Sequence, residues 1–203
     1  MRRFGSFLRH QGGMSAVEIA VLAPVLFTAV LSTFDLGVYF WRWNQAVQAA
    51  RLGARVAAIS NPVSSDLSTA TGVGGSVAPG DIVGAYERVC SAGSRTCTAG
   101  GVFNQAAMDR IFYGASGTGC GDATSRDAAG MCDVLPTLDL ADVSISYSAS
   151  GIETAGVAGS LRPLVTVRIS GAGPRLVLFD KILPANLPVT EMTMLAEDLR
   201  STA

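Results

Sequence analysis

Glu18 stands at the head of an uncharged run, residues 19–34, and a carboxylate in that place needs a specific partner. A charged side chain entering a bilayer costs at least about 2.5 to 3.5 kcal/mol, so an acid there marks a functional site by default. Gly13 lies five residues earlier. Scission after Gly13 would free an α-amino group on Met14, four residues from Glu18 and hence on the same helical face. That amine, with a pKa of about 7.7 to 8.0, would pair with the Glu18 carboxylate of its own chain or of a neighbouring subunit. The competing reading is an acid in the first turn of a membrane helix, complementing the helix dipole and snorkelling towards headgroups.

Asp35 is the second acid of this kind, seventeen residues further on, or about 25 Å along a helix. It either reaches the outer interface or bridges to an arginine such as Arg42 on a neighbouring helix. In the second case both acids mark subunit-facing surfaces.

Little else in the chain is equipped for reaction chemistry. His10 is the only histidine among 203 residues, and it lies in the short basic head that scission after Gly13 would remove. A Ser-His-Asp or Cys-His arrangement and a His-ligated zinc site are therefore excluded from a mature chain. The glycines of GASGTGCGDATSRDAAGMC match no phosphate-binding pattern and read as turn residues. Asp139, Asp142, Glu153 and the acids of AEDLR are scattered and read as solvated, with no EF-hand loop or carboxylate dyad among them. No catalytic residue, metal or cofactor is expected. The formal net charge is -1 and no basic block exceeds Arg2-Arg3, which argues against nucleic acid as a partner.

Cys90, Cys97, Cys120 and Cys132 all follow the apolar segment, in what read as Gly- and Ser-rich loops and without a C-x-x-C pair. That spacing favours disulfides over zinc, with free buried thiols as the alternative. Sequence proximity favours Cys90 with Cys97 and Cys120 with Cys132. Bridges would place this part of the chain in an oxidising space.

The elements that must position these residues begin with residues 16–41, AVEIAVLAPVLFTAVLSTFDLGVYFW, about as long as a helix needs to cross the hydrocarbon core. Tyr39, Trp41 and Trp43 form an aromatic girdle at its far end. A cleaved secretory signal is the competitor, but no A-x-A-like site lies between Thr28 and Phe40. The run passes unbroken into WRWNQAVQAARLGARVAA, where Ala46, Ala49, Ala50, Gly53, Ala54 and Ala57 share one helical face of small residues. One long helix over residues 14–58 is predicted, kinked at Pro24.

Residues 60–80, rich in Ser, Thr and Gly, read as a linker. Helical patterns follow over 81–89 and 103–113. The C-terminal third changes period: Val143, Ile145 and Tyr147, then Val165, Val167 and Ile169, alternate with polar residues, and 191–195 is a third extended stretch. Three strands predict a small antiparallel sheet whose apolar face the small-residue face of the helix can cover. RLVLFDKIL, residues 175–183, reads as a core helix, with a membrane-surface patch as the alternative. The fold class expected is α+β: a pilin-like long N-terminal helix on a small antiparallel sheet with disulfide-bearing loops. The organisation expected is a basic leader over 1–13, a membrane and stem helix over 14–59, a linker over 60–80 and an extracytoplasmic α+β domain over 81–203.

The N-terminal third resembles the TadE-like minor pilins of the tight-adherence (Tad/Flp) pilus machinery. The matching residues are Gly13, Ala16-Val17-Glu18-Ile19-Ala20, Pro24, Phe34-Asp35-Leu36-Gly37, Asn44 and Ala50-Arg51-Leu52-Gly53-Ala54-Arg55. Here Asp35 and Leu36 separate Phe34 from Gly37, where the family commonly has Glu before its Phe-Gly pair. The resemblance implies processing by a prepilin peptidase after Gly13, with Met14 as the first mature residue, and Glu18, Pro24 and Asp35 on subunit interfaces. It also implies a single-pass protein of the bacterial inner membrane whose partners are membrane lipid, major and other minor pilins and the pilus assembly platform, and the cysteines after the apolar segment place the N-terminus in the cytoplasm. An anchored extracytoplasmic receptor or binding module is the alternative, and an anchored hydrolase a third reading. Cleavage after Gly13 separates the first of these from the second.

Overall fold

The computed structural model describes residues 12–115, 119–121, 123, 125, 128–157, 161–171 and 189–196, with side chains from Val17 onward. The patterned stretch 175–183, the basic head and the acids of AEDLR lie outside the described residues.

Helix α1, Gly12–Ile59, is continuous for 48 residues and runs through Pro24. The chain divides into two units, the first holding α1 up to Trp41 and the second beginning at Arg42. In the first unit α1 is apolar nearly all round and exposed. In the second its character changes, because small residues recur on one face. Ala46, Ala49, Ala50, Ala54 and Ala57 are all at 0 % exposure. Gly53 belongs to the same face, and a Cβ added there would run into the Sδ and Cγ of Met131, itself fully buried. Small side chains are thus what lets this face of the helix lie against its neighbours.

Among the described residues, the second unit adds an antiparallel sheet and two short α-helices. Strands β1 (Glu87–Ser91), β2 (Thr96–Cys97), β3 (Val143–Ser148), β4 (Leu164–Ile169) and β5 (Thr190–Leu195) pair in the order β2-β1-β3-β4-β5. Alternation along β3 and β4 sends Val143, Ile145, Tyr147, Val165, Val167 and Ile169 into the core. The opposite face is polar: the Thr166 and Thr193 hydroxyls lie 2.8 Å apart, and Arg168 Nε is 3.3 Å from Glu191 Oε1. Helix α2 (Gln105–Tyr113) is capped by the Asn104 side chain, which accepts from Ala107 N–H, and buries Met108, Ile111 and Phe112. Helix α3 (Met131–Val134) adds Met131 and Cys132. Within the second unit the small-residue part of α1 is therefore buried in an α+β fold with this antiparallel sheet.

Four expectations need correction. Residues 81–89 are not helical, and among the described residues there are five strands rather than three. Ile82 bridges to Thr154 and β1 begins at Glu87, because Gly84 weakens a helix while the period-two placement of Arg88 and Cys90 suits a strand. Residues 60–80 are more than a linker: they carry a 3-10 turn at Ser65–Ser68 and bury Val63, Ser64 and Leu67. Glu153 is not solvated, since it is only 4 % exposed. Its Oε1 accepts from the Tyr86 hydroxyl, Ser150 N–H and the Ser150 hydroxyl, each at 3.3 Å. Asp139 is exposed as expected and caps Ala141 N–H, while Asp142 is half-buried.

Tyr147 ties the loop before the 3-10 turn to the sheet. Its ring is fully buried and its hydroxyl accepts from Val63 N–H at 2.9 Å. Burial raises its pKa above the usual phenol value, with the Val63 hydrogen bond opposing. The sign follows from linkage: below about pH 10 both states keep the proton, and above it the unfolded phenol ionises while the folded one does not. Stability is thus full below about pH 10 and falls above it, by about 1.4 kcal/mol per pH unit for this group. Denaturant midpoints across the alkaline range test this, with Tyr147→Phe expected to flatten the fall.

Candidate membrane anchor and assembly surface

In the first unit most of the apolar side chains of α1 are exposed. Val17, Ile19, Val21, Leu22, Val25, Leu26 and Phe27 are each about two-thirds exposed. An 18-residue window within Val17–Ile59 has mean hydropathy 2.0 and is 0 % buried, so this helix is long and apolar enough to cross a membrane. Its hydroxyls are satisfied within the helix. Thr28 donates to Val25 O at 2.9 Å, Ser32 to Thr28 O at 2.5 Å and Thr33 to Ala29 O at 2.9 Å. Such back-bonding suits a helix that has no water to turn to. Tyr39 and Phe40 meet edge-on with ring centroids 5.8 Å apart, and Trp41 and Trp43 are exposed.

The acids of this helix differ from each other. Glu18 is exposed and makes no ion pair among the described residues. Asp35 is 8 % exposed and not free, although Phe34 and Leu36 beside it are open at 69 % and 53 %. Gly37 opens a notch between Phe34, Val38 and Trp41, part of a groove of about 520 Å³. Pro24 is exposed one turn and a half after Glu18. Gly13 and Met14 are helical in backbone, and their side-chain surroundings lie outside the described residues.

This sequence of features, from Gly13 through an exposed apolar helix to the buried small-residue face ending near Arg55, coincides with one family pattern. Residues 13–55 match the TadE-like protein family. Comparison with curated proteins and with solved structures found no match. The TadE-like segment covers only α1, so the sheet domain that follows it is described by the structure alone.

The cysteines stand in the second unit. Cys90 is bonded to Cys97 and Cys120 to Cys132. The first pair are direct register partners across β1 and β2, so the bridge staples a hairpin, and the second joins a loop to α3. Three of the four thus lie in regular elements rather than loops, and among the described residues no cysteine is free.

Outside the helix, a cleft of about 300 Å³ lies beside Asp66, Tyr86, Arg88 and Leu161. Arg88 Nε is 3.2 Å from Asp66 Oδ2, so the cation of this cleft is already engaged. Burial, with the Glu153 charge second, raises the pKa of Tyr86 above the phenol value, which keeps it a hydrogen-bond donor. Among the described residues no three metal-ligating side chains come together.

Proposed function

We propose that this chain is a non-enzymatic, membrane-anchored minor pilin or pseudopilin acting in assembly of a Tad/Flp-type pilus. The observation that carries the reading is the coincidence of the TadE-like match with Gly13, Glu18 and the exposed apolar helix. Residues 1–13 are the leader, removed by a prepilin peptidase, and residues 14–59 are the membrane and stem helix. The disulfide-bearing sheet domain lies on the extracytoplasmic side of the inner membrane, since bridges persist in an oxidising space. The helix holds the subunit in lipid until it packs against other pilins.

The test is the N-terminus of the protein taken from its native membrane. The expected mature chain begins at Met14, and Gly13→Leu is expected to leave the leader in place. Intact mass showing residues 1–13 retained in a host with an active prepilin peptidase overturns the reading in favour of an anchored binding module.

A further inference from the structure

Two independent features of the second unit meet at one place, the open edge of the sheet beside α1. The first is strand β5. Ala196 N–H donates to Pro163 O at 2.8 Å, in register with the Val165↔Met194 and Val167↔Met192 pairs. Antiparallel geometry therefore turns the backbone groups of Met192 and Met194 towards β4, and those of Glu191, Thr193 and Leu195 outwards. Among the described residues no strand pairs with that outer edge.

The second feature is a groove of about 540 Å³ alongside, bordered by Met194 of β5, Val134 and Ala129, and by Arg51, Leu52 and Arg55 of α1. Arg51 and Arg55 are four residues apart, exposed, and without an acid partner among the described residues. Two guanidiniums on adjacent helical turns, set against an apolar floor, suit a carboxylate on an otherwise apolar ligand.

We propose that this edge receives an extended, carboxylate-bearing segment of a partner protein by strand addition. Its backbone pairs with Glu191, Thr193 and Leu195. Its inner-face side chains enter the groove, where an acid meets Arg51 and Arg55 and apolar neighbours meet Met194 and Leu52. A second copy of this chain is disfavoured because pairing β5 with β5 brings like-charged arginine pairs to the same seam. Lipid is disfavoured by reach, a point that rests on the membrane reading above. Arg51 and Arg55 follow Trp43 by 8 and 12 residues, or about 12 and 18 Å of helix, beyond a headgroup layer about 5 to 8 Å deep.

The test uses the full chain in neutral phosphatidylcholine nanodiscs and a synthetic seven-residue peptide with threonine at its even positions, glutamate at its third and valine at the other odd ones, so that one strand face carries an acid between apolar residues. Binding is expected to slow hydrogen exchange at the amides of Glu191, Thr193 and Leu195 at least tenfold. A lysine-for-glutamate peptide is expected to bind at least tenfold more weakly, and the Arg51→Glu, Arg55→Glu double variant to reverse that preference. Thr193→Pro removes an outward N–H without breaking a ladder bond, and is expected to fold normally and lose the peptide. Equal binding of both peptides, or binding that leaves the three amides unprotected, overturns the proposal. So does exchange protection produced by phosphatidylglycerol vesicles alone or by self-association. None of these results depends on cleavage after Gly13, so this proposal and the pilin reading fail separately.

Discussion

Glu18→Ala is expected to leave cleavage after Gly13 and both disulfides intact, and to weaken association with partner pilins by roughly a hundredfold. The estimate follows from placement. Glu18 is exposed on an apolar helix and makes no ion pair among the described residues. An uncompensated acid at the membrane edge costs about 2.5 to 3.5 kcal/mol. Pairing with the amine of a neighbour's Met14 recovers that cost only when subunits are in register, and every 1.4 kcal/mol is about tenfold in an equilibrium constant. Alanine removes both the penalty and the reward for registering. Pull-down of partner pilins from membranes, together with a count of surface pili, measures the effect. Wild-type assembly by Glu18→Ala would reduce Glu18 to a snorkelling acid and take away the pilin reading's strongest physical support.

Gly130→Ala is expected to destabilise the sheet domain by about 3 kcal/mol or more, at the upper end of overpacking effects. Gly114 bridges to Ala129, closing the chain between the end of α2 and the start of α3. A Cβ on Gly130 would overlap the backbone of Phe112, Tyr113 and Gly114, and backbone cannot rotate aside as a side chain can. The same crossing is held by Asp133, whose Oδ2 accepts from Gly130 N–H at 2.7 Å, and by the Cys120–Cys132 bridge one residue into α3. Gly84→Ala is the control, since a Cβ there meets nothing within 4 Å, and it is expected to change stability by less than about 0.5 kcal/mol. Denaturant titration of the full chain in detergent compares the two. Equal midpoints would show that the α2–α3 crossing yields to the added methyl.

The legible parts of this chain were those with a long, one-sided pattern. The spacing of Ala46, Ala49, Ala50, Gly53, Ala54 and Ala57 announced a face that the structure buries, and the alternation around Ile145 and Val167 announced the central strands. The β1–β2 hairpin was not legible. Its second strand has two residues, too short to show a period, although the Cys90–Cys97 pair that proximity favours joins its two strands. Glu153 was misread for a related reason. Its burial comes from Tyr86, 67 residues away in sequence, and from a turn at Ser150 that carries no apolar signal. Arg51 and Arg55 were visible as charges, but the groove beside them is made by Met194 and Val134, which only the fold brings near. Asp35 occupied a visible position whose burial the sequence did not predict.

The two margins of the sheet are unlike, and this sets a limit on how far assembly through it can go. On the far side the edge strand is β2, only two residues long (Thr96–Cys97), and Thr98 after it continues the pairing with β1: its N–H donates to Val89 O at 2.9 Å and its hydroxyl accepts from Val89 N–H at 2.9 Å. The β5 margin thus offers six residues to a partner strand and the β2 margin two. Sheet-to-sheet stacking of copies would need both margins open. Head-to-tail growth through the sheet is therefore disfavoured, since a two-residue edge is a poor template for the long edge of β5.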